Sequence, residues 1–123
     1  MTRILVADDD PDVRATLRVA LELEGYEVET VSNGARAMHA HERKPADVLI
    51  TDLFMPERDG FETLKYFRAR SPGIWIVAIS GWQRWQKADY LAVARDAGAD
   101  ATLRKPFTLG ELLESLRYSV SRT

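Results

Sequence analysis

Asp47-Val48-Leu49-Ile50-Thr51-Asp52-Leu53-Phe54-Met55-Pro56 is an apolar run that ends in a carboxylate and then a proline. Its aliphatic and β-branched residues do not alternate with polar ones, the pattern of a strand covered on both faces in a parallel α/β sheet. Ligands of such sheets bind beyond the carboxyl ends of the strands, so this run delivers Asp52 to a reactive position. Met55-Pro56-Glu57-Arg58-Asp59-Gly60 then has turn chemistry, and Phe61 and Leu64 open a helix that stops at Ser71-Pro72-Gly73.

The flanking sequence repeats the same grammar. Upstream, Arg3-Ile4-Leu5-Val6-Ala7 is a short apolar strand stopped by Asp8-Asp9-Asp10-Pro11. There Asp10 caps and Pro11 begins a helix that carries Val13, Leu17, Ala20 and Leu21 inward and ends at Gly25. Tyr26 to Val31 reads as an edge strand with Glu27 and Glu29 alternating outward, and Ser32-Asn33-Gly34 starts a second helix that buries Ala37, Met38 and His41. That histidine reads as structural. Downstream, Ile74 to Ile79 form a fourth strand ending at Ser80-Gly81, with Trp75 as sheet packing, and the stretch from Trp82 to Ala97 holds a helix capped by Gly98. Ala101 to Arg104 form a fifth strand ended by Lys105-Pro106. Thr108-Leu109-Gly110-Glu111 is a capping box, followed by an inner stripe of Leu109, Leu112, Leu113, Leu116 and Val120.

Five strands alternating with five helices predict a single α/β domain over residues 1–123, doubly wound, with no output domain. Parallel strands all point one way, so Asp8, Asp52, Ser80 and Lys105 are expected on one edge of the sheet. The chain has 17 Lys and Arg against 19 Asp and Glu, a net charge of −2, which gives no sign of a nucleic acid as main partner. Cysteine is absent, which removes disulfides, thiolate zinc sites and thiol catalysis together. No run is long enough to span a membrane and no signal peptide precedes the first strand, so a cytoplasmic location is expected.

Like charges about 4 Å apart repel by roughly 4 kcal/mol at an effective dielectric near 20. Three converging carboxylates, Asp8, Asp9 and Asp52, therefore require either that one stays protonated or that a cation lies among them. An oxygen-only set suits magnesium, which keeps several waters and commonly bridges to phosphate. Lys105 adds a point charge and Ser80 a hydroxyl, and together these are the parts phosphoryl transfer uses: a carboxylate nucleophile, a metal and a cation.

In the order and spacing of Asp8-Asp9, Asp52 with Met55-Pro56 and Asp59-Gly60, Ser80-Gly81, Ala97-Gly98-Ala99-Asp100 and Lys105-Pro106-Phe107, the chain resembles the receiver domains of two-component response regulators over essentially its whole length. The resemblance implies a flavodoxin-like (βα)5 fold with strand order 2-1-3-4-5. It further implies that Asp52 accepts a phosphoryl group from the phosphohistidine of a sensor histidine kinase or histidine phosphotransfer protein. By the same resemblance Asp9, Asp52 and the backbone carbonyl of Phe54 bind Mg2+ directly and Asp8 helps through water. Ser80 turns toward the new phosphate, Lys105 pairs with it, and Pro106 follows a cis bond. The surface of helix 4, strand 5 and helix 5 then binds a downstream protein or relays phosphate, in a monomer or weak dimer that catalyses only its own phosphorylation and dephosphorylation.

Two features depart from that pattern. Thr102 stands where relatives carry an aromatic ring that turns inward on activation, and the segment between Ser80 and Lys105 is a few residues longer, near Trp82-Gln83-Arg84-Trp85. Trp82 or Trp85 is the expected substitute for the missing ring. Phe54 and Trp82, two residues after Asp52 and Ser80, are expected to hinder the hydrolytic water. Two other functions compete with the switch. One is a haloacid-dehalogenase-type phosphatase using Asp8 as nucleophile, which leaves the Ser80 and Lys105 arrangement unexplained. The other is a receiver-like scaffold that is never phosphorylated.

Overall fold

The run that opens at Asp47 forms strand β3 (Val48–Asp52), and every one of its residues is buried. A computed structural model describes residues 1–54, 60–81, 90–117 and 119, with Tyr90 and Leu91 in backbone only. Met55 to Asp59, Trp82, Trp85 and Val120 lie outside the described residues. In chain order the elements are β1 (Arg3–Ala7), α1 (Pro11–Leu23), β2 (Glu27–Val31), α2 (Gly34–Arg43), β3, α3 (Gly60–Arg70), β4 (Trp75–Gly81), α4 (Tyr90–Asp96), β5 (Ala101–Lys105) and α5 (Leu109–Ser115).

All neighbouring strands pair in parallel, in the order β2-β1-β3-β4-β5. Because successive residues of a strand face opposite sides, the sheet divides the core in two. On one face Ile4, Val6, Val48, Ile50, Val77, Ile79 and Leu103 meet Leu17 and Leu21 of α1, Leu112 of α5 and Leu116 at its C-terminal cap. On the other face Leu5, Ala7, Leu49, Ile76 and Ala78 meet Ala37 and Met38 of α2, Leu64 and Phe67 of α3, and Ala94 of α4.

The sequence signals for helix ends are realised as hydrogen bonds. Asp10 caps α1 by accepting from the Asp12 amide at 2.9 Å, Asn33 caps α2 by accepting from the Arg36 amide at 2.8 Å, and Thr108 and Glu111 make both bonds of a capping box at 3.0 Å. Gly25 and Gly98 end their helices with φ of 94° and 120°, a conformation that side chains resist. One reading is corrected. Leu109 is 53% exposed, because it occupies the first position of α5, where the stripe has not yet turned toward the sheet. Glu27 and Glu29 also do more than face water, since Arg3 bridges both and Lys44 and Arg43 pair with them.

Far from the strand ends that carry the polar residues, Arg68 at the end of α3 fastens the opposite edge of the sheet. Its guanidinium donates to the carbonyls of Pro72, Ile74 and Gly98 and pairs with Asp100 at 2.7 Å, while the same Asp100 oxygen accepts from the Ile76 amide at 2.8 Å. This explains the Ala97-Gly98-Ala99-Asp100 segment as a joint between β4 and β5. The carboxyl edge is left free for the site.

Candidate functional site

Alternation along the strands selects which polar ends converge. Asp8, Asp52 and Lys105 continue the set of residues that faces α1 and α5, whereas Ser80 follows Ile76 and Ala78 onto the face covered by α2, α3 and α4. The Lys105 ammonium accordingly lies between two carboxylates, 2.9 Å from Asp8 Oδ2 and 3.0 Å from Asp52 Oδ2. Asp9 completes the group. Asp8, Asp9 and Asp52 each offer an oxygen within 4.8 Å of the others.

The three carboxylates stand in different surroundings. Asp8 is 0% exposed and its Oδ1 accepts from the Asp10 amide at 2.9 Å, while Asp9 is exposed. Burial pushes the Asp8 carboxyl above its ordinary pKa. The Asp10 amide and the Lys105 ammonium pull partly in the other direction. Desolvation also acts against the charge on Lys105, but the hydrogen bond to Asp8 and the charge of Asp52 outweigh it and raise the ammonium above its ordinary value. Lys105 is therefore charged throughout the physiological range, as a counter-ion to this cluster must be.

Asp52 is 6% exposed, and its Oδ1 accepts from the Phe54 amide at 3.0 Å, which brings the backbone of Phe54 beside the carboxylate. The Phe54 ring meets Phe61 edge-on, with ring centroids 6.1 Å apart. Pro106 follows a cis peptide bond, as expected. Ser80 is 1% exposed, and its hydroxyl faces the carbonyl of Gly81 at 3.5 Å rather than Asp52 or Lys105. Thr102, on the same face, accepts a hydrogen bond from Arg95 of α4 at 3.2 Å, so a polar contact to α4 occupies the position of the missing ring. Trp82 and Trp85, the expected substitutes, lie outside the described residues.

Two residues that spacing alone did not reveal hold the site in place. Arg14 of α1 donates to the backbone carbonyl of Asp8 at 2.8 Å and so ties the acidic turn to the helix after it. Gly60, at the start of α3, is buried against the end of β3, and its amide donates to the Leu53 carbonyl at 3.0 Å. The Asp59-Gly60 pair pointed at a turn. It gave no sign of this close approach.

A parallel five-stranded sheet in this order, with an acidic cluster and a lysine at its carboxyl edge, defines a receiver-type signalling domain. A family profile described as response regulator receiver domain matches residues 4–117, and the chain belongs to that family. It is 40% identical over 124 residues to the transcriptional regulatory protein KdpE of Mycobacterium tuberculosis, covering 99% of this chain and 52% of the relative. It is 38% identical to the response regulator MprA of Mycobacterium leprae, again covering 98% of this chain and 52% of the relative. The chain thus spans about half the length of these relatives.

Among solved structures, a CheY-like receiver domain protein from Methanospirillum hungatei aligns with a TM-score of 0.89 at 27% identity, covering 99% of this chain and 96% of that one. The response regulator TrrA of Thermotoga maritima, solved in complex with Mg2+ and BeF, aligns with a TM-score of 0.84 at 30% identity, covering 97% and 99%. No helix among the described residues is long and apolar enough to cross a membrane.

Proposed function

We propose that this domain is a phosphoacceptor switch in which Asp52 takes a phosphoryl group from a phosphohistidine. The observation that carries the reading is the Lys105 ammonium held between Asp8 and Asp52, next to the exposed carboxylate of Asp9. An oxygen of Asp52 attacks phosphorus, the phosphorus–nitrogen bond breaks, and the imidazole leaves with its electron pair, so that the carboxylate becomes an acyl phosphate. Lys105, already positioned, pairs with the phosphoryl oxygens and offsets their charge at about 1.5–3 kcal/mol per charge-assisted hydrogen bond.

The donor set fits Mg2+: oxygen ligands only, at least one of them exposed, and within a few ångströms of one another. Asp9, Asp52 and the Phe54 carbonyl would hold the ion directly, with Asp8 behind them through water. Bound there, Mg2+ would supply charge neutralisation for the phosphoryl oxygens. Asp8 itself is a poor nucleophile for a phosphatase, since it is fully buried and that burial raises its carboxyl above the ordinary range, toward the protonated form.

For the donor protein, a mainly apolar groove of about 540 Å³ between α1 and the end of β5, lined by Asp12, Val13, Thr16, Leu17, Lys105, Pro106 and Phe107, runs up to Lys105. A sensor histidine kinase or phosphotransfer protein inserting its histidine from that side reaches Asp52 past Lys105. Ser80 then turns from the Gly81 carbonyl toward the phosphate, and the face of α4, β5 and α5 changes to bind a downstream protein or pass the phosphate on.

Treatment with acetyl phosphate and Mg2+, followed by mass spectrometry of wild type and Asp52→Asn, tests the reading. Label at Asp52 supports the switch. Label retained in Asp52→Asn and mapped to Asp8 would indicate a phosphatase, and no label in wild type a scaffold.

A further inference from the structure

Strand β2 is an outer strand of the sheet. The Glu27 amide donates to the Thr2 carbonyl and the Val31 carbonyl accepts from the Asp8 amide, so these odd-numbered residues direct their backbone groups at β1. In a parallel ladder the intervening residues point the other way, and Val28 and Thr30 therefore offer their amides and carbonyls to an edge on which no further strand pairs among the described residues. A groove of about 680 Å³ begins at the C-terminal part of that edge, at Glu29 to Val31, and lies between Arg14 of α1 and the residues of α2.

The walls of the groove are basic on both sides. Arg14 lines it from α1, next to Arg18, whose guanidinium reaches the Thr30 hydroxyl at 3.3 Å. Arg36, His39 and Arg43 line it from α2. The acidic side chain present, Glu29, is already paired with Arg3 and Arg43. Arg36 and His39 are exposed and make no side-chain hydrogen bond or ion pair among the described residues. In a chain of net charge −2, this concentrates positive charge along an open strand edge.

We propose that the groove takes an extended acidic segment of a partner protein, added to β2 as a further strand. The backbone groups of Val28 and Thr30 supply the hydrogen bonds of strand addition, and β2 is long enough to pair with about 16 Å of extended chain. Side chains of an added strand alternate between the two walls. Those toward α1 meet Arg14 and Arg18, those toward α2 meet Arg36 and His39, and a carboxylate is the complement on either side. The charge of the walls selects the sequence and the open edge selects its conformation.

The test uses the full chain without Mg2+ or phosphoryl donor, so its outcome is independent of whether Asp52 is phosphorylated. A fluorescein-labelled Glu-Val repeat peptide is titrated by fluorescence polarisation beside the same peptide interrupted by prolines, a Lys-Val repeat, and a single-stranded oligonucleotide of equal charge. Saturable binding of the acidic repeat is expected, about tenfold weaker for the proline-interrupted peptide and absent for the basic one. Arg36→Glu with His39→Glu, confirmed as folded by circular dichroism, is expected to weaken the acidic repeat at least tenfold. Absence of binding, indifference to the double substitution, or equal affinity for the proline-interrupted peptide or the oligonucleotide overturns the proposal. The last two would mark a general polyanion patch.

Discussion

A Cβ placed on Gly60 would lie 2.0 Å from the backbone carbonyl oxygen of Asp52. The first turn of α3 is thus pressed directly against the residue proposed to accept phosphate, and only a glycine permits the approach. The obstructing atoms are backbone, so no side-chain rotation relieves the clash. Gly60→Ala is expected to lower stability by about 2–4 kcal/mol, read from urea unfolding, and to slow acyl phosphate formation even in the fraction that remains folded. A variant with wild-type stability and labelling would show that α3 can shift without disturbing Asp52.

Lys105 makes a second prediction through the charges it separates. Removing the ammonium leaves Asp8 and Asp52 facing each other with nothing between them, a loss of about 1–3 kcal/mol when metal is chelated. A divalent cation can restore the balance, so the stability gained on adding Mg2+ is expected to be larger in Lys105→Met than in wild type. Thermal or urea denaturation with and without Mg2+ measures both increments. Equal increments in the two proteins would mean that the ammonium and the metal do not act on the same carboxylates.

Much of this arrangement was legible because strand ends are local signals. Asp8, Asp52 and Lys105 each follow an apolar run, and parallel strands bring such ends together without any long-range reasoning. Face parity was the part that counting strand ends left out. Ser80 ends a strand like the others, yet its position relative to Ile76 and Ala78 sends it to the opposite side from Asp52. Gly60 and Arg14 were hidden for another reason: a turn glycine and an amphipathic-helix arginine look ordinary until the partner backbone is known. Arg68 reads in the same way as a solvent-facing cation at a helix end, although it joins three carbonyls and a carboxylate.

Phe54 bears on how long the acyl phosphate survives. Its amide holds Asp52 Oδ1, while its ring packs on Phe61, so the position beside the carboxylate carries an apolar group with no means to orient water. Phe54→Asn supplies an amide that can hold an attacking water, and acyl phosphate decay is expected to quicken by about tenfold, equivalent to a barrier change of roughly 1.4 kcal/mol. Trp82→Ala tests the expectation, drawn from its place two residues after Ser80 in the sequence, that this bulky residue also hinders the hydrolytic water. Decay is followed by loss of the label under chase conditions, and unchanged lifetimes in both variants would remove these side chains from any role in gating.

His41 makes the stability of the domain depend on pH away from the site. Its Nδ1 accepts from the Ala46 amide at 3.0 Å, which fixes the proton on Nε2, where it is donated to the Ser71 hydroxyl at 2.8 Å. His41 is 8% exposed and its ring packs on Phe67. Burial first, and then the charge of Arg3, hold its pKa below the ordinary value of 6.5 despite the opposing effect of Glu42. Below pH 6.5 the unfolded chain therefore binds a proton that the folded one refuses, because a second N–H would face the Ala46 amide. Stability is expected to fall as pH drops from 6.5 toward the folded value, by at most about 1.4 kcal/mol per pH unit from this group. In His41→Gln the glutamine carbonyl can still accept and its amide can still donate, but nothing titrates. Urea midpoints of the two proteins should therefore converge as pH is lowered through this window, and parallel pH profiles would assign the acid sensitivity to other groups.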